Sequence, residues 1–204
     1  MRPLVKICGL TRPEDARLAV DLGATHVGAI LAETSARRVS PETARELFAA
    51  AGPTVRHVLV FKGAPVSEAV RLALEIAAAH VALYDGSEED ALAAEGAGLT
   101  VYRVYSVSAE ARALPRFSPR PTPESPAVLD TGGGGSGQAF PWRLLGRAAP
   151  DATFIAGGIT PDNVAALLEH RPYGLDVSSG VESSPGIKDP AKLELFFKRL
   201  ETTG

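Results

Sequence analysis

Short apolar runs alternate with longer amphipathic or alanine-rich runs along this chain, and the alternation repeats eight times. The short runs are mostly apolar throughout, which is typical of strands covered on both faces, as in a parallel sheet. We predict strands at Leu4–Cys8, His26–Leu31, Arg56–Phe61, His80–Tyr84, Thr100–Tyr105, Ala127–Asp130, Thr153–Ala156 and Gly174–Ser178.

The longer runs carry signals of helix starts. Thr11 to Glu14 has the spacing of a capping box, and Ser40, Thr160 and Asp189 each stand before a proline that suits a first helical position. We predict helices at Glu14–Leu22, Pro41–Ala51, Ser67–Ala79, Glu88–Glu95, Ala109–Leu114, Pro141–Arg147, Pro161–Glu169 and Pro190–Glu201.

Eight strand–helix units predict a single (β/α)8 TIM barrel domain over residues 1–204, with eight parallel strands ringed by helices. Right-handed crossovers leave few other ways to wind such units, and the main alternative is an open doubly wound sheet. No stretch resembles an interdomain linker. The proline-dense segment Pro115–Pro126 is predicted to be a stiff surface loop opposite the active face.

Composition and charge narrow the possible functions. The 204 residues are 45% hydrophobic and 22% charged with a net charge of −3, which argues against a nucleic-acid-binding surface and a polybasic membrane anchor. We find no secretory signal and no apolar stretch long enough to span a bilayer, so we expect a cytoplasmic protein. One cysteine excludes a disulfide framework, and the four histidines share no ligand spacing, so we predict no metal.

The active sites of such barrels lie at the carboxyl ends of the strands. Cys8 ends the first strand, before Gly9 and a helix start whose positive end could lower the pKa of the thiol. Asp130 closes an apolar strand, where burial would raise its pKa and suit it to general-acid work. The alternatives are a small buried hydrophobic residue at Cys8 and a turn-capping carboxylate at Asp130.

The last two strands end in small residues that expose backbone amides. In many barrels these two loops bind a phosphate, whereas the alternative is a pair of tight turns. The residues are Gly157, Gly158, Ser178, Ser179 and Gly180.

Two loops allow more than one interpretation. Arg37 and Arg38 could present a guanidinium fork to a carboxylate or phosphate, or could be solvated loop charges. The segment 132–137 matches fragments of nucleotide-binding motifs but lacks the lysine that a P-loop needs. A mobile glycine-rich lid over the site is the better interpretation.

Together these residues resemble the phosphoribosylanthranilate isomerase family of tryptophan biosynthesis, from the first strand to the last helix. The resemblance rests on segments that occur in order at the expected strand ends. They are Lys6–Thr11, Ser35–Pro41, Leu129–Thr131, Gly135–Gly137, Ala156–Ile159 and Asp176–Glu182.

The resemblance implies an aldose–ketose isomerase that rearranges N-(5-phosphoribosyl)anthranilate to 1-(2-carboxyphenylamino)-1-deoxyribulose 5-phosphate without a cofactor. It implies that Cys8 is the general base, that Asp130 is the general acid and that Arg37 lies near the anthranilate carboxylate. The family occurs as monomers, dimers and fusions, so we expect a monomer or homodimer.

The chain departs from the family pattern at two positions. Tyr84 stands in a stretch where the family often has Gln-Leu-His-Gly, and Gln138 stands where a lysine is common. Both departures concern ligand contacts, and neither concerns the acid–base pair.

Three rival functions remain open at this point. A histidine-pathway isomerase would have aspartate in place of Cys8. Indole-glycerol-phosphate synthase needs lysines in the barrel, and we expect Lys6 to point away from the Cys8 side chain and Lys62 to follow the third strand. A non-catalytic phosphosugar-binding barrel would not need both Cys8 and Asp130.

Overall fold

The computed structural model describes residues 2–131, 137–147 and 149–202. Eight parallel strands hydrogen-bond in chain order, and the last pairs with the first, so the barrel is closed as predicted. They are β1 (Leu4–Ile7), β2 (His26–Ile30), β3 (Arg56–Lys62), β4 (His80–Tyr84), β5 (Thr100–Val107), β6 (Ala127–Thr131), β7 (Thr153–Ala156) and β8 (Gly174–Val177).

Helices surround most of the barrel, and a small hairpin follows β8. The helices are α1 (Pro13–Asp21), α2 (Pro41–Ala51), α3 (Val66–Ile76), α4 (Glu88–Gly96), α5 (Val164–Leu168) and α6 (Pro190–Thr202). Two 3₁₀ turns cover Trp142–Leu145 and Ser179–Val181, and the hairpin strands are β9 (Glu182–Ser184) and β10 (Ile187–Lys188).

Two predicted caps are confirmed. The Ser40 side chain accepts from the amide of Thr43 at 3.2 Å and caps α2. Asp189 accepts from the amides of Ala191 and Lys192 at the start of α6. The third predicted cap, at Thr160, is wrong, because α5 begins at Val164 without a side-chain cap, so an acceptor followed by proline favours a helix start but does not fix it.

The capping box predicted at Thr11 is wrong. The Thr11 hydroxyl donates to the carbonyl of Gly186 at 2.6 Å, and α1 begins after Arg12 without a side-chain cap. The hairpin after β8 competes for this hydroxyl, which is a tertiary contact between residues 175 positions apart.

The helix predicted at Ala109–Leu114 is also wrong, because residues 108–114 form turns and bends. Pro115 disfavours helical geometry at Leu114, and the six residues before it are too few to form a stable helix. The prediction at Pro141–Arg147 reduces to a 3₁₀ turn, and that at Pro161–Glu169 reduces to the short α5.

The proline-dense segment covers the outer wall of the barrel where a helix was expected. Phe117 packs edge-on against Tyr105 of β5, with the ring centroids 5.1 Å apart. Further on, Arg120 pairs with Asp151 just before β7, so this end lies at the amino ends of the strands as predicted.

Side chains along each strand alternate between the two faces of the barrel wall. On β1, Val5 and Ile7 face the layer shared with the helices, whereas Lys6 and Cys8 face the interior. Aromatic rings of His26, Tyr102 and Phe154 fill the lower interior, and burial lowers the pKa of His26 to about 3. The cavity described below opens at the other end of the barrel, at the carboxyl ends of the strands.

Candidate active site

A cavity of about 300 Å³ opens at the carboxyl ends of the barrel strands. It brings together every site residue that the sequence singled out, although they come from four strand ends and one loop. Its lining includes Cys8, Arg37, Asp130, Gly157, Gly158, Ser178, Ser179 and Gly180.

Cys8 directly follows β1 and is buried at the floor of the cavity. Burial raises the pKa of its thiol, while the charge of Lys6 acts in the opposite direction. The expectation of a lowered pKa is therefore wrong. The cost of dehydrating a thiolate exceeds the help that nearby positive groups supply.

Asp130 lies on β6 and accepts a hydrogen bond from the hydroxyl of Tyr84 at 2.9 Å. Burial raises the pKa of Asp130 to about 6, although the bond from Tyr84 opposes that change. The elevated pKa predicted for this carboxyl is confirmed, and near neutral pH a fraction of it is protonated and able to donate.

Tyr84 is a site residue that the sequence analysis did not select. It ends β4 and lines the cavity at a position where the chain departs from the family pattern. The expectation that this departure does not concern the acid–base pair is wrong, because the Tyr84 hydroxyl donates to Asp130. Strand alternation from the inward-facing Ala82 places Tyr84 inward as well, so the sequence did contain a signal.

Lys6 does not point away from Cys8, and that prediction is wrong. Its ammonium bonds Asp176 Oδ2 at 2.7 Å inside the barrel, and its charge acts on the Cys8 side chain. Residues two apart on a strand share a face, so the alternation rule should have placed the two side chains together. Lys62, in contrast, is half-exposed at the cavity wall.

Asp176 was also missed as a site residue. Its Oδ2 is bound to Lys6, and its Oδ1 is buried without a hydrogen-bond partner in the described part of the chain. The Ser178 hydroxyl, on the same face of β8, has no partner there either. Buried polar atoms are nearly always paired, so Asp176 Oδ1 and the Ser178 hydroxyl can form hydrogen bonds with a molecule that enters the cavity.

Arg37 and its neighbour Arg38 are not equivalent. The Arg37 side chain is 13% exposed and clamps Glu182, with Nε at 2.9 Å from Oε1 and Nη2 at 2.7 Å from Oε2. Lys188 bonds the same carboxylate at 2.8 Å. Arg38 is 54% exposed, so only Arg37 presents a fixed guanidinium to the cavity.

The loops after β7 and β8 have the form expected of an anion cradle. Gly158 has a φ of +64°, and a Cβ there would lie 2.5 Å from the amide nitrogen of Ala139. Among the described residues, no backbone carbonyl accepts from the amides of Gly158, Ser179 or Gly180. These donors remain available, which is the main requirement for binding a phosphate through the backbone.

The predicted lid lies almost entirely outside the described residues, since only Gly137 of segment 132–137 is described. Gly137 lines the cavity. In the described ranges, no cluster of three His, Cys, Asp or Glu side chains could hold a metal ion. No helix in those ranges is both long and apolar enough to cross a membrane.

Comparison with known sequences gives a consistent result. The family model of N-(5'-phosphoribosyl)anthranilate isomerase matches residues 5–199. The isomerase of a Pseudomonas fluorescens strain is 38% identical over 95% of this chain and 93% of its own length. The tryptophan biosynthesis protein TrpCF of Salmonella typhi is also 38% identical, but this chain spans only 42% of it.

Solved structures agree with the sequence match. The phosphoribosylanthranilate isomerase of Thermus thermophilus is 36% identical, with a TM-score of 0.83 over 98% of this chain and all of that one. A second isomerase was solved with reduced 1-(o-carboxyphenylamino)-1-deoxyribulose 5-phosphate; it is 30% identical with a TM-score of 0.82, covering 98% of this chain and 99% of that one. With the closed barrel, the Cys8–Asp130 cavity and these matches in agreement, this chain belongs to the N-(5'-phosphoribosyl)anthranilate isomerase family.

Proposed function

We propose that Cys8 and Asp130 are the general base and general acid of the family reaction in this chain. The reaction is the rearrangement of N-(5-phosphoribosyl)anthranilate to 1-(2-carboxyphenylamino)-1-deoxyribulose 5-phosphate in tryptophan biosynthesis. One observation carries the proposal: a thiol and a carboxyl from different strands line the same cavity as a fixed guanidinium and free backbone amides.

The chemistry needs one acid and one base. Asp130 gives a proton to the ring oxygen, the ring opens, and the resulting iminium acidifies the hydrogen on C2. Cys8 removes that hydrogen as a proton, which gives the enolamine, and tautomerisation of the enolamine yields the ketone. Each proton transfer to or from a positioned side chain contributes about 10²–10⁴-fold to the rate. Neither step forms a covalent bond to the protein.

The remaining site residues bind the two charged ends of the substrate. Arg37 holds the anthranilate carboxylate, since Glu182 occupies Nε and Nη2 and leaves Nη1 for a ligand. The amides of Gly158, Ser179 and Gly180, with Gly157 and Ser178 beside them, hold the phosphate. The ligand named for the related solved structure carries both groups, a carboxylate and a phosphate.

Substitution of the two central groups tests the assignment. We expect Cys8→Ala and Asp130→Asn each to lower kcat by orders of magnitude with KM nearly unchanged, because the lost interactions exist mainly in the transition state. Loss of substrate fluorescence follows the reaction. Near wild-type kcat in Cys8→Ala, or full activity after alkylation of the lone thiol, would overturn the proposal.

The cytoplasmic location, the absence of a cofactor or metal and the choice between monomer and homodimer stay predictions. Cell fractionation, activity after exhaustive dialysis against a chelator, and sedimentation at several protein concentrations check them in turn. The substrate is a small molecule, and we expect neither nucleic acid nor membrane as a partner.

A further inference from the structure

Lys6 is a buried cation to which the proposed reaction gives no role. Its side chain is 1% exposed, it lies behind the cavity rather than in its lining, and it therefore does not touch a ligand. Burial of an ammonium is costly unless the ion is paired and hydrogen-bonded, so its position needs a reason.

The ammonium of Lys6 is fixed between the carboxylate of Asp176 and the thiol of Cys8. β1 and β8 are neighbours, and Lys6 stands directly opposite Asp176 in their register. The bond from Nζ to Asp176 Oδ2 is 2.7 Å, and the charge of the ammonium acts on the neighbouring Cys8 side chain. The Asp176 carboxylate thus restricts the position of the Lys6 ammonium and keeps it near the Cys8 sulfur.

Gly28 on the neighbouring strand makes room for this contact. A Cβ at position 28 would lie 2.9 Å from Cys8 Sγ and 3.1 Å from Lys6 Cε. Both side chains therefore pass over the bare backbone of β2, and any larger residue there would push them apart.

A thiolate at Cys8 needs positive charge nearby, and the other cations are already committed. Lys188 and Arg37 both bind Glu182. Asp176 faces the sulfur as well and opposes a negative charge on it. The charged or titratable groups that act on Cys8 are Lys6, Asp176, Lys188, Arg37 and Tyr84.

We propose that Lys6 is a positioning residue for Cys8: its ammonium, held by Asp176, stabilises the thiolate and orients it toward the cavity. This inference rests on the proposed role of Cys8 as the base. Lys6 acts only through the sulfur and stays protonated, while the proton from the substrate goes to Cys8.

The test measures the ionisation of Cys8 directly, by the rate of iodoacetamide alkylation of the lone thiol at a series of pH values. In Lys6→Met the apparent pKa of the thiol rises, so alkylation at pH 8 slows by roughly tenfold or more. kcat falls by a similar factor while KM changes little. Lys6→Arg keeps the charge and recovers part of both.

A double variant separates the role of Lys6 from the effect of leaving Asp176 unpaired. In Lys6→Met/Asp176→Asn both charges are gone, and we expect the thiol pKa to stay above that of the wild type. If the double variant shows the wild-type alkylation profile, or if Lys6→Met alone does, the inference is wrong.

Gly28→Ala gives an independent test that keeps both charges. The added methyl group displaces the sulfur from the ammonium, so the thiol pKa rises and kcat falls. Gly96→Ala at the end of α4 is the matched control, because a Cβ there meets nothing within 4 Å. An unchanged thiol pKa in Gly28→Ala would contradict the inference.

These readouts keep the two proposals apart. Activity retained in Cys8→Ala defeats the assignment of the base but leaves the effect of Lys6 on the thiol measurable. If the pH profile of alkylation is the same in Lys6→Met as in the wild type, only the inference about Lys6 is wrong.

Discussion

Near neutral pH, Cys8 is mainly a protonated thiol and Asp130 is mainly an ionised carboxylate. These are the opposite of the protonation states that the reaction uses. The reaction needs a thiolate and a protonated carboxyl, but burial puts the pKa of Asp130 at about 6 and raises that of Cys8. Because the pKa of Asp130 lies below the raised pKa of Cys8, only a minority of molecules hold the productive combination of thiolate and protonated carboxyl. The free enzyme therefore works through a minority state.

The pH dependence of kcat/KM follows from these two groups. The productive form has a thiolate and a protonated carboxyl, and the dominant form has a thiol and a carboxylate. Both forms carry one proton on the pair, so their ratio does not change with pH between the two pKa values. We expect kcat/KM to rise as the pH passes about 6, to stay level, and to fall only above the raised pKa of Cys8. Initial rates at low substrate concentration check this, and a rising limb centred below pH 5 would contradict it.

Asp130 also costs stability when it is ionised. Its pKa is higher in the folded chain than in the unfolded chain, so its favourable contribution is present below about pH 4 and is lost as the pH rises through about 6. We expect Asp130→Asn to raise the free energy of unfolding at pH 8 by up to about 3 kcal/mol. Denaturant unfolding at pH 8 and pH 4 checks this, and an equal gain at both values would contradict it.

At the scale of elements, the loop after β2 is joined to the hairpin β9–β10 through one carboxylate. Glu182 begins β9 and accepts from both Arg37 and Lys188, the latter on β10. Charge-assisted, bidentate contacts fix the guanidinium plane better than a single bond would. The hairpin thus sets the direction in which Arg37 faces the cavity.

The two neighbouring arginines give a matched pair of variants. Arg37→Ala should lower kcat/KM by roughly 10- to 150-fold, since a charge-assisted hydrogen bond contributes about 1.5–3 kcal/mol. Arg38→Ala should change it little, because that side chain faces solvent. With a substrate analogue that lacks the carboxylate, the defect of Arg37→Ala should disappear; equal defects on both substrates would refute the carboxylate contact.

The hairpin itself can be tested through Glu182. Glu182→Gln keeps the shape but weakens the clamp, so KM should rise. The kinetic constants of this variant and of Arg37→Ala should then combine less than additively, since both act on one contact. Full additivity would show that the two residues act separately.

At the scale of the whole molecule, the wall between β5 and β6 is held by an ion cluster rather than by a helix. Arg103 of β5 bonds Glu88 and Glu95 of α4 and the side chain of Ser125 in the proline-dense segment. Its guanidinium therefore connects α4 to the proline-dense segment, which stands where a helix between β5 and β6 was predicted.

Loss of this cluster should affect stability without affecting catalysis. Arg103→Ala should lower the free energy of unfolding by about 1.5–3 kcal/mol, as expected for hydrogen bonds to charged groups. Arg120→Ala removes an exposed pair, at 83% exposure of the arginine, and should change stability little. Thermal unfolding and kcat check both variants, and a large loss of kcat in a folded Arg103→Ala would contradict this account.

The sequence by itself was sufficient for the barrel and for the ends of its strands. Eight apolar runs separated by helical runs leave few topologies, and each strand end places its side chains at one mouth. Cys8 and Asp130 could be selected because a strand terminus and an apolar context are local properties, whereas Arg37 was separated from Arg38 only by the family resemblance.

What depends on partners far along the chain was decided only by the tertiary structure. The Thr11 hydroxyl bonds Gly186 instead of its own helix, Arg37 faces the cavity through Glu182, and Lys6 meets Asp176. Each contact joins residues more than 140 positions apart. The ionisation of Cys8 belongs to the same class, because it depends on how deeply closure of the barrel buries the thiol and which charges are buried with it.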